Sequence, residues 1–574
     1  MSRPLASLAP RPTAASLKRY FGRIDRTTPV WLLVVVLLIL LIALPLGWMV
    51  VTSVTGRQGF TLNHYVQVFT QQRYLNAIWA TFRMATRVGL LAVGVGSLMG
   101  WLVARTDLPA KRFWRSMVLA SFVTPPFLGA FAWTLLAGPN AGVINQWWRA
   151  LTGSSEPLVN IYSMGGLSFV VFLYIYPYVF TMITNSLDMI SSDLEEAANI
   201  LGASSLRVAA TVTLPLVLPA ILSGFILAFV QSFALFGSPA ILAMPAGFHT
   251  VVTQIWQLFQ FPPRIELAAA LATPMLVMTA LLLWLQRRIL GRRGYATVLG
   301  KSTARKLIPL GKWKWPALAF CTAVVLLAVG MPYYILVRAA LSHAWAQPFT
   351  LENFTWNNIR FVLLDYTATR TAMQNTFVLG IVTATAAALL AALVAYIVHR
   401  RLVRGTQLVE VLSTAPVAVP GIVLAVGLFI TYTRPPLVLY GTLWILFLAY
   451  LTKELPIAYA QSMTTFRSIH GELEEASRIA GASRLRTLLD VTVPLAKTGV
   501  IAAWCFVFIG AIRELSASIL LFTARTRVVS VVIYDLKEEG MWGAISVLGV
   551  LLLAVTFLVV FFMQRYFGRD PLRG

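Results

Sequence analysis

The sequence predicts an all-α polytopic membrane protein, with twelve transmembrane helices arranged as two tandem six-helix halves. Three observations predict it. Hydrophobic residues make up 58% of the 574 residues and charged residues only 12%, about half the usual globular share. Apolar runs long enough to cross a bilayer recur along the whole chain. One polar segment occurs twice: Glu195 to Leu216 and Glu474 to Leu495 align at an offset of 279 with 13 of 22 positions identical. A repeat separated by nearly half the chain points to tandem duplication.

In order, residues 1–29 hold six basic residues, one acid and four prolines, and form an N-terminal tail. The first half covers 30–286. Its first span, about 30–54, is longer than a signal-peptide core and lacks a convincing small-residue cleavage site, so it is a retained helix. Spans follow at about 75–104, 116–137, 166–187, 215–237 and 266–286. Residues 287–316 are a basic linker, in which Arg287 to Lys314 carries nine basic residues and no acid. The second half, 317–564, has spans at about 317–341, 374–398, 408–431, 439–461, 495–518 and 541–563, and 565–574 is the C-terminal tail.

The formal net charge is +25, from 46 basic and 21 acidic residues. In a soluble chain that excess would suggest nucleic acid. Here most basic residues fall in the tails, the linker and alternate loops, the pattern that sets membrane orientation, so no nucleic-acid partner is expected. Both termini, the linker and both duplicated segments are expected in the cytoplasm, beside an anionic inner leaflet. Cys321 and Cys505 lie inside apolar runs, with neither a disulfide framework nor metal-ligand spacing. Gly294 to Thr303 looks like a phosphate-binding loop, but five residues separate Gly294 from Gly300 where the motif has four, and no buried strand precedes it. The expectation is a flexible linker without nucleotide binding. No His, Cys or carboxylate constellation suggests an enzyme.

Each duplicated segment makes local sense. Leu194, Ala197, Ala198 and Leu201 share one face of a short helix. Gly202 and Gly481 come where that helix should stop in a left-handed cap. A second short helix should follow, with Pro215 or Pro494 then opening the next span at a first-turn position. The expected result is a polar helix-turn-helix between two spans, within loops 191–214 and 470–493.

The run Glu-Ala-Ala, three residues, Gly, nine residues, aliphatic-x-aliphatic-Pro resembles the coupling loop of binding-protein-dependent ABC importer permeases. Both copies match, Ser477 replacing the usual third-position Ala. The resemblance implies two type I (MetI-like) permease halves fused in one inner-membrane chain. It also implies two copies of a cytoplasmic ABC ATPase as partners, with a periplasmic substrate-binding protein. The chain would bind no cofactor and no metal, and ATP and Mg would be used by the ATPase. Coupling residues by resemblance are Glu195, Glu196, Ala197, Gly202 and Arg207 in the first loop. In the second they are Glu474, Glu475, Ala476, Gly481 and Arg486. The glutamates and arginines would make the charged contacts.

Ionisable residues inside spans are costly and are default candidates for function. Arg83 and Arg87 lie on one face of the second span. Lys453 and Glu454 lie in the tenth, Arg513 and Glu514 in the eleventh. At the offset of 279 these pairs align with Tyr174 and Ile175, and with Ala234 and Leu235, so only the second half carries them. They either line the pathway, with Tyr174, or form interhelical ion pairs that fix packing. Adjacent helical residues point about 100° apart, so each member of a pair needs its own partner.

The fused layout, with Arg513 to Ser518 and Val529 to Tyr534, resembles the ferric-iron uptake permeases, which implies ferric iron as cargo. Permeases for thiamine, phosphonates and sugar phosphates look similar. The arginines and Lys453 would suit an organic phosphate. An ion-coupled secondary transporter using Glu454 or Glu514 is the remaining class, and it would need intramembrane acids in both halves.

Overall fold

The computed structural model describes residues 28–190, 195, 197, 198, 200–292, 307–402 and 405–567. Glu196, most of the linker with its glycine-rich segment, and most of both tails lie outside the described residues.

The first half comprises α1 (Leu32–Ser53), α2 (Gln72–Arg105), α3 (Lys111–Val123), α4 (Pro126–Ala137), α5 (Met164–Met189), α6 (Ala209–Phe233) and α7 (Ile265–Ile289). The second comprises α8 (Gly311–Ala340), α9 (Thr367–His399), α10 (Thr406–Ala418), α11 (Gly421–Tyr432), α12 (Leu443–Arg467), α13 (Gly471–Ile479), α14 (Leu488–Ile512) and α15 (Trp542–Arg565). Ten of these helices are long and apolar enough to cross a membrane. Large apolar side chains such as Leu33, Leu90 and Leu389 lie exposed on their outer faces, as a lipid-facing surface requires.

The third and ninth spans are not the single helices that sequence reasoning expects at 116–137 and 408–431. Each is a pair of short helices, α3 with α4 bent by 97° and α10 with α11 bent by 112°. Proline explains both breaks. Thr124 and Val419 precede Pro125 and Pro420 and are extended, with ψ of 126° and 111°. A residue before proline is pushed out of the helical region by the ring.

The halves repeat, but not at one offset. From α5 to α6 the offset to α12 and α14 is 279 (443−164 and 488−209). For α2, α3 and α4 it is 295 (367−72, 406−111, 421−126). The first half has 26 residues between α4 and α5, numbers 138–163, where the second has 10 between α11 and α12. The extra 16 include an amphipathic helix, Val143–Thr152.

Proline also shapes the continuous helices. Four π-turns, Ile39–Ala43, Ala209–Thr213, Leu326–Gly330 and Leu488–Thr492, each end two residues before a proline: Pro45, Pro215, Pro332 and Pro494. In each, the residue before proline donates to the carbonyl five back, as Leu44 N–H does to Ile39. The wider turn relieves the clash that a proline ring makes with the carbonyl four residues earlier. So Pro215 and Pro494 do not open a new helix, as expected from sequence. The short helix before each runs through the π-turn into the span.

The π-turn in α1 frees two carbonyls, and the other half takes them. Leu40 loses its usual donor because Leu44 N–H goes to Ile39, and Leu41 loses its donor because Pro45 has none. Tyr432 Oη donates to Leu40 O at 2.8 Å, and Thr452 Oγ1 lies 3.4 Å from Leu41 O. Gly427 lets α11 approach: a Cβ there would sit 2.8 Å from Pro45 O. Reciprocally, Tyr333 of α8 reaches α3, with Oη 2.6 Å from Thr124 Oγ1 and 3.3 Å from Ala120 O. Each half's first span thus packs against the other half's bent pair.

Candidate functional site

The duplicated loops and a polar cluster between the halves are where the structure gathers most of the site residues expected from sequence.

In the second loop, α13 is closed just past its end by Gly481, whose φ is +89°, and Ala482 N–H donates to Ser477 O at 3.1 Å. In the first, Gly202 has φ +84° and Ala203 N–H donates to Ala198 O at 3.1 Å. These are left-handed helix caps of the kind expected from the glycines. Ser204 and Ser483, which sequence reasoning passed over, start the next helix. Their hydroxyls accept from Arg207 N–H at 3.4 Å and Arg486 N–H at 3.3 Å, as N-caps do. The repeated Gly-Ala-Ser therefore stops one helix and begins the next.

The loop side chains divide into two groups. Ala197, Arg207, Glu475, Ala476 and Arg486 are exposed. So are Ile200, Leu201 and Ile479, at 85%, 87% and 88%. Ile200 and Ile479 are equivalent at the offset of 279, and large apolar side chains this bare on a polar loop mark an interaction surface. Glu195 and Glu474 instead turn inward. Glu195 Oε1 accepts from Thr213 Oγ1 at 2.8 Å and lies 3.9 Å from Arg105 Nη2. Glu474 Oε1 accepts from Thr492 Oγ1 at 2.8 Å and from Arg400 Nη2 at 3.0 Å. Sequence reasoning missed both arginines. They correspond at the offset of 295, not 279, so a single repeat register does not align them.

The polar cluster sits where α11, α12 and the segment after α14 meet the bend between α3 and α4. Lys453 Nζ pairs with Glu514 Oε2. Glu514 Oε1 also accepts from Ala517 N–H at 2.8 Å, and its backbone carbonyl from Ser518 and Ser530 hydroxyls at 2.9 and 2.6 Å. Gly421 makes room: a Cβ there would lie 3.2 Å from Glu514 Oε1 and 3.3 Å from Lys453 Nζ. Arg513 crosses to the first half, donating to Phe122 O at 3.2 Å with its guanidinium 6.0 Å from the Phe122 ring centre. Phe122 in turn packs edge-on against Tyr178, whose hydroxyl accepts from Gln231 Nε2 at 2.9 Å.

Glu454 points elsewhere, as the 100° rule requires. It is buried against Gly510, where a Cβ would fall 2.4 to 2.6 Å from its carboxylate atoms. Its Oε2 has no hydrogen-bond partner among the described residues. Tyr174, equivalent to Lys453, is buried under Gly129, and a Cβ on Gly129 would overlap its ring at 2.0 Å. Its hydroxyl likewise has no partner among the described residues. Arg83 and Arg87 are not brought to this cluster. They lie exposed on α2, which packs on helices of its own half, and Arg83 borders a cavity of about 600 Å³ with Arg73, Asn76 and His249. Among the described residues, no group of three His, Cys, Asp or Glu could hold a metal ion.

The chain matches the family described as "Binding-protein-dependent transport system inner membrane component" over residues 92–294 and 384–572, one match in each half. It is 24% identical over 544 residues to the ferric transport system permease protein FbpB of Actinobacillus pleuropneumoniae, covering 93% of this chain and 77% of that one. It is 22% identical over 552 residues to the Fe(3+)-transport system permease protein FbpB 2 of Haemophilus influenzae, covering 94% and 99%. A putative 2-aminoethylphosphonate transport system permease, PhnV of Salmonella paratyphi A, is 24% identical over 235 residues, covering 41% of this chain and 88% of that one. Among solved structures, a bacterial ABC transporter for the acidic polysaccharide alginate aligns with TM-score 0.41 and 16% identity, covering 48% of this chain and 99% of that one.

Proposed function

Since the chain belongs to the family of binding-protein-dependent transport system inner membrane components, we propose that it is the fused permease of a ferric-iron importer. As a member it is a multi-pass inner-membrane transport subunit, not itself catalytic. An ATPase partner hydrolyses the ATP and a periplasmic binding protein delivers the cargo.

The observation that carries the importer mechanism is the pair of equivalent loops, each ending in an exposed Ile200 or Ile479. Two such tips fit two copies of one ATPase. Arg207, Glu475 and Arg486 would contact the ATPase around those tips, with Glu196 by resemblance. The lysine and arginine pattern supports both termini in the cytoplasm, with the loops on the same side. Closure of the ATPase dimer would move the loops together and turn the pathway outward. The conformational equilibrium is biased by a ligand the permease itself never binds.

The pathway would run between the halves, past Lys453, Glu514 and Arg513 on one side and Phe122 and Tyr174 on the other. Ferric iron as cargo is supported by likeness over nearly the whole chain to permeases named for ferric transport. Selectivity would reside mostly in the binding protein. The test is calorimetry on the cognate binding protein, with ferric iron, phosphonates, sugar phosphates and thiamine. Tight ferric binding is expected; tight binding of a phosphorylated anion would replace iron and leave the architecture.

A phosphonate or organic phosphate is the second reading, favoured by Lys453 and Arg513 at the interface between halves and by the partial likeness to a phosphonate permease. A proton-coupled carrier would keep transporting after ATP is withdrawn and stop when the proton gradient collapses; the importer reading expects the reverse.

A further inference from the structure

Two joints of identical composition lie at the base of the bundle. Arg105 at the end of α2, Glu195 of the first loop and Thr213 of a π-turn form one. Arg400 after α9, Glu474 of α13 and Thr492 of the matching π-turn form the other. We propose that these Arg–Glu–Thr joints transmit movement of the loops into the membrane helices, with Glu195 and Glu474 as positioning residues that never touch the ATPase.

Geometry separates the two glutamates of the second loop: Glu475 is exposed, whereas Glu474 next to it is shielded and carries two hydrogen bonds. Glu195 is equally shielded, at 9% exposure. The shielding matters because a solvated ion pair is screened by salt and holds little. The loop pair Arg486–Asp490, with side chains 77% and 62% exposed, is of that weak kind. Both joints are enclosed: each carboxylate accepts a threonine hydroxyl, Glu474 also accepts from Arg400, and Arg105 faces Glu195 as an ion pair at 3.9 Å. Hydrogen bonds to an ionised acceptor are roughly twice as strong as neutral ones.

Position supplies the mechanical argument. α13 packs mainly on the short helix and π-turn that follow it, so a push on Ile479 would pivot it about that end. The joint adds a second attachment, to α9. In the first half Arg105 Nη2 also donates to Ile190 O at 3.0 Å, the cap of α5. Loop, α2, α5 and the base of α6 are thereby tied together. Each threonine closes its π-turn two residues before Pro215 or Pro494, where the helix is already locally widened.

The inference rests on the reading that the loops seat an ATPase, and one experiment separates the two. The permease, its cognate ATPase and its binding protein are reconstituted in proteoliposomes, as wild type and as Glu195→Gln/Glu474→Gln. The glutamines are isosteric and still accept from the threonines, but lose the charge. The variant is expected to copurify the ATPase as wild type does. ATP hydrolysed per substrate moved should rise at least about tenfold, the size expected for weakening two charge-assisted bonds. This stoichiometry is a readout that a purely structural role would not move. Unchanged stoichiometry with normal assembly overturns the joints and leaves the ATPase reading standing. Loss of the ATPase from the variant alone also overturns them, since the glutamates would then be contacts. A wild-type chain that fails to hold the ATPase overturns the underlying reading. Where the glutamine variant does not purify, Thr213→Val/Thr492→Val keeps both ion pairs, removes one bond per joint, and is read the same way.

Discussion

Tyr432 Oη donates to the Leu40 carbonyl at 2.8 Å, a hydrogen bond between residues 392 positions apart that crosses from one half to the other. It exists because Pro45 forces a π-turn and strands that carbonyl. Tyr432→Phe should therefore destabilise the detergent-solubilised chain by about 1–3 kcal/mol, the cost of leaving an acceptor unpaired away from water. In a Pro45→Ala background α1 can regain its ordinary ladder, so the same substitution should cost less. Thermal unfolding of the four members of this cycle measures the coupling, and strict additivity would mean the proline is not the cause.

The Lys453–Glu514 pair is shielded between α12 and the segment after α14. Lys453→Met alone should cost about 3–5 kcal/mol, because it leaves the buried Glu514 uncompensated. Glu514→Gln should cost less, because the Lys453 side chain it leaves is 30% exposed. The double substitution Lys453→Met/Glu514→Leu should recover much of that stability. Transport by the recovered double variant is the informative measurement. Transport retained near wild type assigns the pair to packing; transport lost from a stable protein assigns it to the pathway, the outcome expected here.

Gly129 and Tyr174 form a lock of a different kind, in which a missing side chain admits a ring. Gly129→Ala places a methyl 2.0 Å from the Tyr174 ring and should destabilise by about 1–3 kcal/mol through overpacking. Tyr174→Ala carries its own cavity cost of about 3–5 kcal/mol, so the contact is read from a cycle: Gly129→Ala should cost less in a Tyr174→Ala background than in the wild type. Melting temperatures of the four members check this, and strict additivity would refute the contact.

The exposed loop tips predict a loss of assembly without a loss of fold. Ile200→Asp with Ile479→Asp should abolish copurification of the ATPase while the permease elutes as wild type in size-exclusion chromatography. Surface substitutions of this kind usually change stability by no more than about 0.5 kcal/mol. Charge reversal at Glu196 with Glu475 should likewise abolish substrate-stimulated ATP hydrolysis. Normal stimulation in either variant would remove the loops from the ATPase interface.

Much of this molecule was legible in its residues because the deciding forces are local. Apolar runs of bilayer length gave the spans, and the repeated segment gave the duplication. Gly202 and Gly481 marked helix ends because only glycine takes positive φ there without strain. The 100° step along a helix implied that Lys453 and Glu454 point apart, and they do: Lys453 meets Glu514, whereas Glu454 lies against Gly510. Pro125 and Pro420 could have signalled the bends; the apolar run across them masked the break.

What only the tertiary structure decided involves partners far apart in number. The offset changes from 295 to 279 across residues 138–163, so no single register could bring Arg105 to Glu195 and Arg400 to Glu474. Glu474 and Glu475 are the same residue type side by side on α13, and it is Arg400 and Thr492, brought from elsewhere, that hold one inward while the 100° step leaves the other in solvent. Lys453 meets Glu514 because Gly421, from a third helix, yields the space between them. Hydrophobic length and backbone permissiveness are properties of a segment and can be read from it. Charge pairing and close packing depend on which segments meet, and that was settled when the first span of each half crossed to pack against the other.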